Sequence, residues 1–315
     1  MEQIKSKFID FFQDLLQTTP QSVNIDVLSS LNFVNKQLLE AHCSDLIKEV
    51  TREEMQAAVF SIPPDKAPGP DGFNGFFFRK VWHIIGEDEM TAIRSFFLSG
   101  KLLKVYNHSS ITLVPKVANP MSPKDYRPIS CYNFLYKCIS KVLANRLKKL
   151  LPDLEDHSQS AFISGRCISD NILMAQSLLH NYHRRDTSPR CAIKINIAQA
   201  YDTVRWDFLF RLLEALKFPL QFIEWIRKCV SSPKYSINVN GKSAGFFHSN
   251  RGLRQGDPIS SYLFVLIMDA LSMIINKKVE VARDFSYHWK CSLTKTTHLS
   301  LDSHPHLFFE RSPSP

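Results

Sequence analysis

No Cys-x-x-Cys pair occurs in this chain, although it holds seven cysteines: Cys43, Cys131, Cys138, Cys167, Cys191, Cys229 and Cys291. An odd number of scattered thiols excludes a zinc cage and a disulfide framework and fits free cysteines in a reducing compartment. The N-terminus, MEQIKSKFIDFF, lacks the apolar core of a secretory signal. No run approaches the ~18 consecutive apolar residues of a membrane span, so a nuclear or cytoplasmic protein without a membrane partner is expected. There is no internal repeat, which sets repeat arrays aside. Negative charge is also in short supply: 30 acids face 39 Lys plus Arg, for a net charge of +9. That surplus favours polyanionic partners, nucleic acid or an anionic membrane, without choosing between them.

A composition of 44% hydrophobic and 22% charged residues over 315 positions suits a globular chain with two or three subdomains. Ile4, Phe8, Phe11, Phe12 and Leu15 recur at helical spacing over residues 1–18. A further helical region is expected over 36–60, where Thr51 and Glu54 form a capping box ahead of Met55, Ala58 and Val59. The stretch SIPPDKAPGPDGF (61–73) breaks the periodicity as a rigid, turn-rich loop. Leu113–Lys116 reads as a short strand ending in a cation, and SPKDYRPIS (122–130) carries Lys124 and Arg127. Helix returns over 134–151, with Leu135, Ile139, Val142, Leu143, Leu147 and Leu150 inside and Lys137, Lys141, Arg146, Lys148 and Lys149 largely outside. Helices follow over 168–183 and 206–230, and between them lies an apolar strand, 192–197. A hairpin turning at Asn240-Gly241 and a Gly-Pro loop feeding an apolar helix over 251–275 complete the pattern. The order of elements suggests α+β.

Within AIKINIAQAYD (192–202) a neutral amide, Asn196, interrupts the strand, and Tyr201-Asp202 follows it. This segment joins KAPGPDGF, LVPK…DYRPIS and RGLRQGDPISSYLF in one order, with SKVLANRLKKLL and QSAFISGRCISDNIL between them. Together they resemble the reverse transcriptase domain of non-LTR (LINE-type) retrotransposons in their plant form. The likeness covers roughly residues 45–300. It implies a right-hand polymerase of fingers, palm and thumb with a small antiparallel sheet. It also implies an RNA template, an RNA/DNA hybrid and deoxynucleotides as partners, and Mg2+ as cofactor.

Carried over by resemblance, Lys116 and Arg127 match the fingers cations that grip the incoming triphosphate. Tyr201 matches the aromatic floor of the sugar pocket, and Gln255, Gly256 and Asp257 match the loop lining template and nucleotide. Ser261 and Gln199 depart from the family's Pro and Lys. Asn196 occupies the position of the family's catalytic aspartate, the first ligand of two magnesium ions. An amide there removes a full charge from a site that needs anionic oxygens. Asp202 shares that catalytic neighbourhood but lies past the gate, where a helix-capping role is expected. The family's adjacent Asp pair falls where this chain has THLSLDSHPHLFFERSPSP (297–315), and only Asp302 is acidic near that position. The metal site is thus expected to be degraded, with Mg2+ not bound productively. His304 and His306 are expected to face solvent.

The chain is expected to divide linearly: an N-terminal helical extension (1–60), a fingers-like region (61–190), a partial palm (191–285) and a divergent, disordered tail (286–315). Thumb and upstream endonuclease are expected to be missing. With three prolines between His304 and Pro315, the tail makes a poor strand, which would leave the 192–197 edge unpaired. Three readings compete: an inactive reverse transcriptase domain, a nucleic-acid-binding remnant, and a pseudogene-like product.

Overall fold

A computed structural model of the chain describes residues 2–18, 31, 34, 36–154, 159, 163, 165–180, 190–281, 285–287, 291, 298–301 and 304–311. The expected N-terminal helix forms as α1 (Glu2–Gln17), burying Phe12, Leu15 and Leu16 while Ile4 stays exposed. Residues 36–60 are two helices rather than one. The first, α2 (Glu40–Ile47), stops because Lys48 leaves helical space at ψ 155°. Thr51 then opens α3 (Arg52–Ser61), its hydroxyl accepting from the Glu54 amide at 3.2 Å. The Pro/Gly loop follows as expected, then α4 (Gly75–Lys80) and α5 (Trp82–Ser99).

The described residues fall into two units, each assembled from separated stretches of the chain. One comprises Met1–Ile25, Leu38–Leu147 and Tyr201–Ser261. Its sheet has the order β2-β1-β4-β5, built from β1 (His108–Pro115), β2 (Tyr126–Tyr132), β4 (Lys234–Val239) and β5 (Lys242–His248). It is mixed rather than antiparallel throughout, because β1 runs parallel to β4, pairing Ser110 with Ser236 and Ile111 with Ile237. A parallel pair needs a long crossover, which the intervening helices supply. The β4–β5 turn falls at Asn240 and Gly241 with φ of 52° and 77°, the positive angles a two-residue hairpin turn demands. The apolar side of α1 packs on this sheet, joining Phe12, Leu15 and Leu16 to Ile111, Tyr235, Ile237, Val239 and Phe247.

The same unit holds α6 (Phe134–Lys148, all but its last residue), α9 (Trp206–Ala215) and α10 (Leu220–Ser231), and α9 packs on α10. The region 206–230 breaks in two because Lys217 adopts φ 64° and Pro219 follows it. In α6 the expected apolar face is buried, and two cations expected outside are buried as well. Arg146, 4% exposed, makes paired bonds of 2.8 and 2.7 Å to Glu54 and donates to the Leu46 carbonyl. Lys137 donates to the Ala67 carbonyl at 2.6 Å, tying the Pro/Gly loop to α6.

The other unit comprises Asp26–Gln37, Lys148–Ala200 and Tyr262–Pro315. It contains α7 (Leu151–Leu154), α8 (Ile168–Leu179), β3 (Arg190–Lys194) and most of α11 (Pro258–Val281). Its sheet has the order β3-β8-β6, with β6 (Phe285–Tyr287) and β8 (His304–Arg311), and β7 (His298–Leu301) also pairs β8. The expectation of an unpaired edge is overturned here, because β8, from the described part of the tail, pairs β3. Ile193 pairs Leu307 and Ala192 pairs Phe308. Pro305 sits at the start of β8, where it costs the β3 ladder nothing, since that ladder begins at His306. Leu178, Cys291, Leu299 and Phe308 form a small core with Ala175 beside them.

One helix among the described residues, α11, is long and apolar enough to cross a membrane, contrary to the expectation of none. More than half of its apolar window is buried, and Asp269, 3% exposed, lies 3.9 Å from Lys36. A buried acid facing a cation is the arrangement of a core helix.

Candidate nucleotide-binding site

Most of the residues singled out by resemblance lie in the first unit. The β1–β2 connection sets Lys116 and Arg127, the two cations singled out by resemblance. Arg127 pairs Val114 in register and its side chain is exposed. Lys116 lies just past β1, its amide bonded to the Asp125 carbonyl and its Nζ to the Lys124 carbonyl, both at 2.7 Å. The connection is stiffened from within: Asp125 accepts from the Met121 and Ser122 amides, which hold its carboxyl below the usual range.

Two backbone segments meet beside these cations. Leu253 donates its amide to the Tyr201 carbonyl at 2.7 Å and Gly252 donates to Val204 at 2.8 Å. Gly252 has φ 95°, and a Cβ there would stand 2.8 Å from the Asp202 carbonyl oxygen, so only glycine permits the approach. Gly256 also needs a positive φ, 96°, and its carbonyl accepts from the Tyr132 hydroxyl at 2.7 Å. Gln255 joins both sides: its carbonyl accepts from Ser130 of β2 at 3.3 Å, and its amide nitrogen donates to Asp202 at 3.0 Å. Lys116, Tyr201, Asp202 and Gln255 are thus held in one neighbourhood, with Tyr201 half-buried.

Asp202 does not cap a helix, since the N-cap of α9 is Arg205. Its carboxyl is 6% exposed, and burial pushes its pKa up to about 7, against the opposing pull of the Gln255 bond and the Lys116 charge. Asp257 likewise does not line an open site. Its carboxylate is buried and accepts from the Tyr136 hydroxyl at 2.5 Å and from Ser140, and the Ile259 amide also points to it. It pins α6 to the start of α11.

Arg254 is a further residue of this region that the sequence expectations do not include. This side chain is 4% exposed, lies 4.0 Å over the Tyr136 ring, and donates to Asn107 and to the Cys229 carbonyl. Its Nε and Nη1 have no hydrogen-bond partner in the structure, and its charge lies against the Tyr136 ring. The signal was available in the spacing RGLRQGD, but nothing local distinguishes a buried arginine from a phosphate-binding one.

Asn196 lies in the second unit, exposed and just past the end of β3, and Asp302 lies outside the described residues. His304 and His306 are in β8 by backbone, and their side chains also lie outside what is described. The donor set does not fit a magnesium pair. Asn196 offers a neutral amide, Asp202 is biased by burial toward its neutral form, and Asp257 is consumed by internal donors. Among the described residues no three His, Cys, Asp or Glu side chains come together as a metal site.

The model of the reverse transcriptase (RNA-dependent DNA polymerase) family matches residues 114–293. Similar curated proteins include the transposon TX1 uncharacterized 149 kDa protein of Xenopus laevis, 27% identical over 88% of this chain and 21% of its own length. The retrovirus-related Pol polyprotein from the type-2 retrotransposable element R2DM of Drosophila melanogaster is 28% identical over 70% of this chain and 20% of its own. A type-1 element R2 polyprotein of Nasonia vitripennis is 27% identical over 75% of the chain and 21% of its own length. The chain spans about a fifth of the length of these relatives.

Proposed function

Because the chain belongs to the reverse transcriptase (RNA-dependent DNA polymerase) family, we propose that it is a plant LINE-type reverse transcriptase domain that holds nucleic acid but does not polymerise. Asn196 carries this reading. Two-metal phosphoryl transfer needs both ions to clamp the attacking and leaving oxygens. Magnesium at such a site relies on anionic oxygens, and the strand-end position matching the family's first ligand bears an amide. Asp202 is no substitute, because its carboxyl is bonded to Gln255 and burial disfavours its charge. The sequence also contains no adjacent pair of aspartates.

Binding is supported by the exposed Arg127, by Lys116 beside the Gln255 loop, and by the net charge of +9. Arg146 offers no phosphate contact, since its guanidinium is spent on Glu54. Backbone contacts of this kind give salt-sensitive affinity with little base preference. Primer extension on a primed RNA with magnesium tests the reading. No product is expected from the unmodified chain or from Asn196→Asp alone, and robust extension by the unmodified chain would overturn it. Lys116→Gln with Arg127→Gln should weaken hybrid binding and flatten its salt dependence.

A further inference from the structure

Away from the Gln255 loop, the first unit holds a cavity of about 450 Å³ whose lining has an unusual charge balance. Arg205, Arg227 and Arg251 contribute three guanidinium groups, and Asp207 is the one carboxylate among the lining residues. Trp206 and Phe210 supply aromatic surface between them.

Arg227 and Arg251 are each anchored at Nε, and Arg205 is held at Nε and Nη2. Arg205 grips Asp207 through bonds of 3.1 and 2.5 Å, so the one acidic lining residue is already neutralised. Arg227 lies 4.0 Å over the Phe210 ring and donates Nε to Glu224, a residue outside the lining, at 2.9 Å. Arg251 donates Nε to the Leu15 carbonyl at 2.8 Å, one of the carbonyls that the end of α1 leaves without a helical partner. A guanidinium has five N–H donors in a rigid fork, and one bond at Nε fixes its plane while the terminal nitrogens stay available. Trp206 is fixed in the same way, its indole N–H donating to the Gly252 carbonyl at 2.8 Å. The result is a set of oriented donors beside aromatic faces, at partly exposed positions: the Arg205 and Arg227 side chains are 42% and 36% exposed.

We infer that this cavity is a second nucleic-acid contact, holding one nucleotide of a single strand with its base against Trp206 and the Arg227–Phe210 stack and its phosphate on Arg205 and Arg251. The volume lies within the ~300–1,000 Å³ of pockets that enclose small ligands, enough for one base with its sugar phosphate. A ring face and a guanidinium face both accept any base, so the contact is sequence-tolerant. An acidic peptide would satisfy the arginines but leave the aromatic surface unused. The inference rests on the nucleic-acid reading of the chain, but its residues are separate from Lys116, Arg127 and Gln255.

The test uses the full chain and a short single-stranded RNA carrying 4-thiouridine. Ultraviolet crosslinking followed by trypsin should place label on the peptide Trp206–Arg211. The Arg205→Gln, Arg227→Gln double variant should bind the strand about 10-fold more weakly and flatten the log–log salt dependence by about 0.7 per lost phosphate contact. Affinity for RNA/DNA hybrid should fall less in that variant than in Lys116→Gln, Arg127→Gln. Strand binding with label confined to other peptides and no loss in the double variant overturns the cavity assignment and leaves the family reading intact. No binding of any nucleic acid overturns both. Poly-glutamate binding that depends on Arg205 and Arg227, without RNA binding, overturns the assignment in favour of an acidic protein partner.

Discussion

Two regions matched to the same family chemistry contrast sharply in how they are built. Along Gln255–Asp257 each residue is bonded inside the first unit: Gln255 to Ser130 and Asp202, Gly256 to Tyr132, Asp257 to Tyr136 and Ser140. The strand leading to Asn196 is exposed along Cys191–Lys194, and so is Asn196 itself. The first region cannot change without breaking the fold that contains it. The second can exchange a carboxylate for an amide at almost no cost in stability. Residues that serve both scaffold and site are held by the scaffold, and a residue that serves only chemistry is held by nothing else.

The largest effect expected from this contrast is at Asp257. Asp257→Ala would strand the Tyr136 and Ser140 hydroxyls in the interior and should cost about 3–5 kcal/mol in urea unfolding. A loss under about 1 kcal/mol would break the comparison. Next comes Asp202, whose raised pKa has a definite sign. Between the ordinary carboxylate value, 3.8, and about 7, the folded chain keeps a proton that the unfolded chain releases. Wild-type stability therefore falls as pH rises through that window, at about 1.4 kcal/mol per pKa unit. Asp202→Asn should be increasingly more stable than wild type from pH 4 to 7, and the difference should level off above that. A flat difference would show that the carboxyl is not held neutral.

Glu54→Ala sharpens the point in a helix with no proposed chemistry. It leaves Arg146 buried without its carboxylate and should cost about 2–3 kcal/mol, whereas Lys149→Ala on the exposed end of the same region should be silent. The smallest effect belongs to Asn196→Asp, expected within about 0.5 kcal/mol of wild type by the same urea titration. A destabilisation of several kcal/mol there would mean that the amide is structural after all.

Much of this was legible in the chain, and the parts that were not share one cause. The amphipathic pattern of α1, the Thr51 cap and the Asn240-Gly241 turn each depend on a few neighbouring residues, so their sequence signals were sufficient. Lys137 and Arg146 were placed on a solvent face by helical periodicity, and the structure buries both. Their partners, Ala67 and Glu54, come from elsewhere in the chain, and no window of α6 contains them. The helix breaks at Lys48 and Lys217 fall inside stretches whose apolar spacing reads as continuous.

The sequence alone determined that the strand-end position is an amide, that the chain carries no adjacent aspartates, and that the family's motifs run in order. These are matters of covalent identity and spacing. Tertiary structure decided that β1 runs beside β4 in parallel, that β8 pairs β3, that Asp257 faces inward, and that burial pushes the Asp202 carboxyl up to about 7. Strand pairing and the desolvation of a charge depend on which distant residues arrive at one place, and the free energy of each is set by that neighbourhood.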